Sequence, residues 1–230
     1  MKSSQPQSGR RSTVGEAEVV SEHPRPSSKR ARTGSTPADR LIDAAIQHFA
    51  AHGYESVSTG MVAKTAGLSQ SMVHYHFGNK ANLWEAAVQR LMVRRGVQFQ
   101  LSEDDLKDLD PMTRLKLMIR RLISSNAENP ELTRILVHEC TSKSVRLRWL
   151  ADKYMGPGYA AFNEALEEAT RGGLIRPVQV RDVTNIIVGA ATLSLSLAPL
   201  LDYVYDGDAP TSDSLSDTLV DVLFVGLVGR

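Results

Sequence analysis

The sequence predicts an all-α fold, and three observations support that prediction. Apolar residues recur at helical spacing through most of the chain after residue 35. The runs begin at residues that cap helices, and they end near Gly or Pro. Period-two alternation of apolar and polar residues between turn signals, the pattern typical of strands, is absent from the sequence. Five of the predicted helices lie at about 110–127, 130–142, 144–171, 178–205 and 212–228.

Four further helices precede these, and their boundaries are the clearest in the chain. Side-chain oxygens that can accept from free amides at a helix start belong to Thr36, Ser58 and Ser69. Pro37 suits a first helical position. The first three helices are predicted to end at Gly53, Gly67 and near Phe77. The fourth is predicted from about Ala81 to Phe99.

The charges are distributed unevenly along the chain. Residues 1–35 hold seven Lys or Arg against three Asp or Glu, a net charge of +4. Residues 36–100 carry a net charge of +2, and residues 101–230 carry −5. A polyanionic partner would therefore bind the amino-terminal half. Residues 1–35 are also rich in Ser, Pro, Arg and Gly, so we expect a disordered basic tail there.

Composition argues against a secreted protein and a membrane protein. The single cysteine, Cys140, excludes an intramolecular disulfide framework, and the amino terminus lacks the apolar core of a signal peptide. Residues 183–201 contain nineteen residues without a charge, nearly the length of a membrane span. Their polar residues, Pro199 and the acidic flanks favour a buried helix instead. We expect no membrane partner and a cytoplasmic, nucleoid-associated protein.

The second and third helices, joined at "AGLS", have the proportions of a helix-turn-helix. At about 100° per residue, Val73 and Phe77 fall on one face of the third helix, with His76 near its edge. The opposite arc is formed by Ser71, Met72, His74 and Tyr75. These side chains, with Gln70 and Lys80, suit base edges and phosphate oxygens. For His76, packing inside the protein remains an alternative to contact with DNA.

Metal binding and catalysis were considered for the same stretch. His74 and His76 lie about 200° apart on a helix, so both cannot face one ion. No nucleophile or acid stands at helical spacing to either histidine. We therefore expect no metal site, no cofactor, no catalytic residue and no enzymatic activity.

From Arg40 to Val88 the chain reads "RLIDAAIQHFAAHGYESVSTGMVAKTAGLSQSMVHYHFGNKANLWEAAV" and resembles the TetR (tetracycline repressor) family of bacterial regulators. The resemblance implies a helix-turn-helix DNA-binding domain at 36–82 and a helical ligand-binding and dimerisation domain at 83–230. It implies contact with double-stranded operator DNA by Thr59, Gln70, Ser71, His74, Tyr75, His76 and Lys80. Two positions depart from the family pattern: His74 replaces a frequent Tyr, and Gly60 replaces a frequent polar or basic residue.

The resemblance also implies a homodimer formed through the last two long helices and a pocket for a small-molecule effector. Both helices are more apolar than a lone exposed helix should be. Candidate pocket residues are Met118, Leu122, Ile135, His138, Trp149, Tyr154, Met155, Phe162 and Asn185. The alternative for each apolar one is that it simply fills the core.

The sequence therefore predicts a transcriptional regulator, and in particular a repressor that a largely apolar effector releases from a pseudo-palindromic operator. The alternatives are a helical adaptor whose main partner is a protein, and a regulator that has no ligand.

Overall fold

The computed structural model describes residues 35–98, 108–206 and 210–228, and every regular element in these ranges is helical. The bounds in chain order are α1 Pro37–Ser56, α2 Thr59–Thr65, α3 Gln70–Phe77, α4 Lys80–Gln98, α5 Pro111–Glu128, α6 Pro130–Cys140, α7 Val145–Leu150, a π-helical turn Ala151–Met155, α8 Gly156–Arg171, α9 Val180–Ser196, α10 Ala198–Val204 and α11 Ser212–Leu227. The predicted all-α fold is confirmed. The predicted tail, apart from Ser35, and the predicted end of the fourth helix at Phe99 lie outside the described residues.

Helix α1 begins with the predicted cap. The Thr36 hydroxyl accepts from the Asp39 amide at 3.1 Å, and the Asp39 carboxylate accepts from the Thr36 amide and hydroxyl. This reciprocal capping box fixes the start of the helix. At Gly53 the backbone leaves the helix, with φ 70° and ψ 170°. A Cβ there would be strained and would lie 3.3 Å from His138 Nδ1, so the position favours glycine.

The capping box predicts how stability depends on pH. Hydrogen bonds from Thr36, followed by the Arg90 guanidinium, lower the pKa of Asp39 from 3.8 to about 2. Because the folded-state pKa is the lower one, the stabilisation is present above pH 4 and is lost between about pH 4 and 2. We expect Asp39→Asn to remove this part of the acid destabilisation in thermal unfolding measured from pH 5 to 2. Asp202→Asn, at an exposed carboxylate on α10, should leave it unchanged.

Two groups of buried side chains hold the described residues together. The first comes from α1 to α4, with α6 and α7 packed against them, and includes Leu41, Phe49 and Trp84. The second comes from α5, α8, α9 and α11 and includes Leu115 and Leu166. Leu83 and Trp84 lie in the first core, so α4 completes the packing of the amino-terminal helices. The domain boundary between residues 82 and 83 stays a prediction.

Two predicted helices are interrupted in the structure. The helix predicted at 144–171 contains the π-helical turn, and at its end a Cβ on Gly156 would lie 3.0 Å from the Ala151 carbonyl oxygen. The helix predicted at 178–205 breaks at Leu197, and Pro199 stands in the first turn of the segment that follows. Within the described ranges, no single helix is long and apolar enough to cross a membrane. Only α9 and α10 together pass that test, by length and composition, and they are bent by 66°.

Candidate functional site

Helices α2 and α3 form the predicted helix-turn-helix. Val73 is fully buried against the first core and Phe77 packs on it, so one face of α3 is fixed to α1. The Arg40 guanidinium donates to the Ala66 carbonyl at the end of α2. Gly67 has φ +64°, and a Cβ there would lie 2.9 Å from Arg40 Nη2, so the turn requires its glycine. The opposite face of α3 is thus held outward.

The outward face carries polar and aromatic side chains. Tyr75 is 80 % exposed, and Gln70 Nε2 donates to Thr59 Oγ1 at 3.0 Å, which joins the first residues of α2 and α3. Ser69 caps α3 without a side-chain bond to its backbone, because its hydroxyl is hydrogen-bonded to Ser71 Oγ at 2.7 Å. Met72, expected on this face, is half-buried against the core. The rest of the predicted set is available to a groove.

His74 has a defined hydrogen-bonding role. Its Nδ1 lies 3.0 Å from the Gly78 carbonyl oxygen, and because a carbonyl only accepts, Nδ1 must carry the proton. The neutral ring then presents Nε2 to solvent as an acceptor. An acceptor at this point matches the exocyclic amino group of adenine or cytosine.

His76 and Lys80 are less exposed than the other predicted contacts. His76 Nε2 is buried and makes no hydrogen bond to any residue the structure describes, which favours the packed-imidazole alternative. Lys80 opens α4, where its Nζ lies 4.2 Å from the Tyr54 ring centroid and 3.4 Å from the Glu55 carbonyl oxygen. A lysine side chain is long enough to exchange that contact for a phosphate.

A polar joint connects the end of α1 to α6 and α7. Arg146 Cζ lies 3.6 Å from the Tyr54 ring centroid, and its guanidinium donates to Glu139 at 3.0 Å and Glu55 at 3.1 Å. Glu139 is 3 % exposed and also accepts from Ser144 at 2.8 Å. Burial raises the pKa of Tyr54, which stays a neutral phenol. We call these five residues, Tyr54, Glu55, Glu139, Ser144 and Arg146, the Tyr54 joint.

A cavity of ≈ 390 Å³ lies where α4, α5, α8 and α9 meet the π-helical turn. Its volume falls in the range of small-molecule sites, which are largely apolar with a few polar groups. The lining residues are Met92, Arg95, Gly96, Met118, Leu122, Tyr154, Met155, Gly158, Tyr159, Ala161, Phe162 and Val188.

Five of the nine predicted pocket residues line this cavity, namely Met118, Leu122, Tyr154, Met155 and Phe162. The other four lie elsewhere. Ile135 is 1 % exposed in the first core, and Trp149 stacks edge-on against Trp84 at 5.7 Å. His138 lies against Gly53, and Asn185 is exposed on α9 because its neighbours Thr184 and Ile187 take the inward positions.

Seven lining residues were not predicted. Met92, Arg95 and Gly96 stand at i, i+3 and i+4 on α4, a spacing that places them on one face and could have indicated a shared wall. Gly158, Tyr159 and Ala161 follow the π-helical turn, whose effect on register the sequence pattern did not reveal. Burial, and to a smaller extent the nearby Cys140, raise the pKa of Tyr159, so its hydroxyl keeps its proton.

An apolar surface is exposed on the last long helices. Ile186 is 58 % exposed and Leu193 50 % on α9, and Val222 is 66 % exposed and Val225 82 % on α11. Side chains of this kind at helical spacing mark a surface that another helix covers. Among the described residues no group of three or more His, Cys, Asp or Glu is placed to hold a metal ion.

Comparison with known proteins agrees with this architecture. Residues 41–87 match the family model described as bacterial regulatory proteins, tetR family, and residues 111–222 match a tetracyclin repressor-like C-terminal domain. The chain is 22% identical over 191 residues to the HTH-type transcriptional repressor SCO4008 of Streptomyces coelicolor, covering 82% of this chain and 94% of the relative. It is 26% identical over 159 residues to the nucleoid occlusion factor SlmA of Vibrio campbellii, covering 68% and 80%.

A solved structure shares the fold. The transcriptional regulator FadR of Bacillus subtilis, solved in complex with stearoyl-CoA, superposes with a TM-score of 0.61 at 22% identity, over 81% of this chain and 97% of that one. The two family models together span most of the described residues, and the helix-turn-helix has the geometry that the first of them requires. The chain belongs to the TetR family of bacterial regulatory proteins and is a DNA-binding transcriptional regulator.

Proposed function

We propose that the protein is a homodimeric repressor that binds a pseudo-palindromic operator and leaves it when a largely apolar small molecule occupies the cavity. The observation that carries this proposal is the course of α4. Its first residue, Lys80, lies beside the DNA-reading helix, and its residues Met92, Arg95 and Gly96 line the cavity. A ligand that repositions the end of α4 therefore acts on the reading head through one rigid element.

For DNA contact we propose Thr59, Gln70, Ser71, His74, Tyr75 and Lys80, with His76 as a packed residue behind them. Tyr75 and His74 offer aromatic and acceptor contacts to base edges, and Gln70 reaches forward from the first turn of α3. The free amides at the start of α3 can bind a phosphate. The exposed face is rich in hydrogen-bonding groups, as base readout requires.

For the dimer we propose the apolar surface of α9 and α11. Four exposed residues, Ile186, Leu193, Val222 and Val225, form its centre. Two-fold pairing of these helices builds a four-helix bundle and places the two α3 helices for successive major grooves, about 34–36 Å apart. We expect a cytoplasmic, nucleoid-associated dimer.

For the effector we propose a molecule with an extended apolar part. Met118, Leu122, Phe162 and Val188 give the cavity an apolar wall, and the fold-related FadR was solved with stearoyl-CoA. A hundredfold loss of operator affinity needs only about 2.7 kcal/mol of differential ligand binding, within ordinary coupling energies. Because coupling is reciprocal, such a ligand must bind the free protein more tightly than the DNA complex.

DNase footprinting on the region beside the protein's own gene tests the DNA-binding part of the proposal. We expect a protected pseudo-palindrome, and we expect Tyr75→Ala to weaken operator binding at least about tenfold, because a dimer loses each base contact twice. Val145→Ala, at a residue 87 % exposed on α7, should bind like the wild type. Protection of one asymmetric half-site, or unchanged affinity in the Tyr75 variant, would contradict the proposed interface.

A further inference from the structure

One charged side chain stands among the described residues that line the cavity. Arg95 lies on α4 one turn from Met92, opposite an apolar wall that includes Met118, Leu122 and Phe162. A guanidinium on the rim of an otherwise apolar cavity is not needed to bind an uncharged apolar ligand. It does distinguish ligands by the charge of their polar end.

The environment of Arg95 favours a negative partner. The side chain is half-buried, and burial lowers the pKa of its guanidinium, which nevertheless stays protonated at neutral pH. Removing a cation from water carries a desolvation cost that an anion at hydrogen-bonding distance offsets. The guanidinium has five N–H donors in a planar fork, so it can bind both oxygens of a carboxylate alongside its contacts within the protein.

The second polar group of the lining is complementary to the first. Tyr159 holds a hydroxyl at the cavity whose pKa is raised by burial, so it donates a hydrogen bond at neutral pH. A donor cation and a donor hydroxyl together suit an acceptor-rich anionic group. The remaining lining residues suit an alkyl chain, since they are mainly Met, Leu, Phe and Val.

We propose that the effector is an anionic amphiphile, a molecule with one negatively charged end and an apolar chain, and that Arg95 selects it by binding the charged end. This inference rests on the proposed effector cavity. It adds the ligand's charge and the residue that reads it, neither of which follows from an apolar cavity alone.

The test compares two probes of equal chain length, decanoate and decanol, by isothermal titration calorimetry with the full-length protein at neutral pH. We expect the wild type to bind decanoate about tenfold more tightly than decanol, the size of one charge-assisted hydrogen-bonded pair. Arg95→Gln should lose this preference while keeping its affinity for decanol. Arg148→Gln, which removes the same charge from an exposed position on α7, should keep the preference.

The outcomes separate the two levels of the proposal. Equal affinity of the wild type for decanoate and decanol, or a preference that survives Arg95→Gln, would overturn the role of Arg95 with the cavity still accepted as a ligand site. Failure of the wild type to bind either probe would contradict the apolar effector cavity itself. Circular dichroism and operator binding of Arg95→Gln establish that the variant is folded.

Discussion

Placing aspartate at both Ile186 and Val225 is expected to convert the protein to a monomer and to reduce operator affinity by about a thousandfold or more. The two side chains are 58 % and 82 % exposed in the protomer, so the substitutions should cost the folded monomer little. In a dimer each would bury a charge without a partner in an apolar bundle. Once the link between the two reading heads is lost, each half-site binds alone, without the effective concentration that the dimer supplies.

Light scattering and gel shift on the same preparations measure the two effects. The control is Val145→Asp, which introduces the same charge at a residue 87 % exposed on α7, outside the proposed interface. It should remain dimeric and bind operator normally. A dimer that persists in the Ile186 and Val225 double variant would place the interface on another surface, and operator affinity should then be unchanged.

The amino-terminal helices could be predicted closely from the sequence because their signals are local. A capping threonine, a capping serine at Ser58 and glycines at positive φ specify where α1 and α2 begin and end without help from the rest of the protein. Helical periodicity likewise assigns Val73 and Phe77 to the buried side of α3. The exposed reading face then follows by elimination.

The cavity could be predicted only in part because its walls come from helices far apart in the sequence. Periodicity shows that Ile135 and Trp149 face inward, but not which of the two cores they enter, and both lie in the first. The π-helical turn shifts the register after Leu150, so Tyr159 reaches the cavity from a position that a regular helix would not predict. Arg95 was missed because a charged residue near a helix end is ordinarily assigned to solvent.

Replacing Arg146 by methionine is expected to destabilise the folded protein by about 3 kcal/mol, because it leaves the Glu139 carboxylate buried without its cation. Glu139 has 4 % of its side chain exposed, and the two groups are 3.0 Å apart. Methionine approximates the length of the arginine stem and can still pack on Tyr54, so the loss should come mainly from the charge. Urea unfolding at one fixed protein concentration measures it, since the stability of a dimer depends on concentration.

Arg120→Met is the matched control. Arg120 pairs with Asp217 at 2.7 Å, but 55 % and 64 % of the two side chains are exposed, and such pairs contribute only about 0–1 kcal/mol. If Arg146→Met costs no more than Arg120→Met, the Tyr54 joint does not contribute to stability in the way its geometry indicates.

A second substitution identifies the buried charge as the cause. Glu139→Gln in the Arg146→Met background removes the unpaired carboxylate but keeps an acceptor for the Ser144 hydroxyl, so the double variant should recover about half of the lost stability or more. No recovery would mean that the single variant failed through lost packing on Tyr54. Recovery would show that a buried ion pair fixes the end of α1, and with it the DNA-reading helices, to α6 and α7.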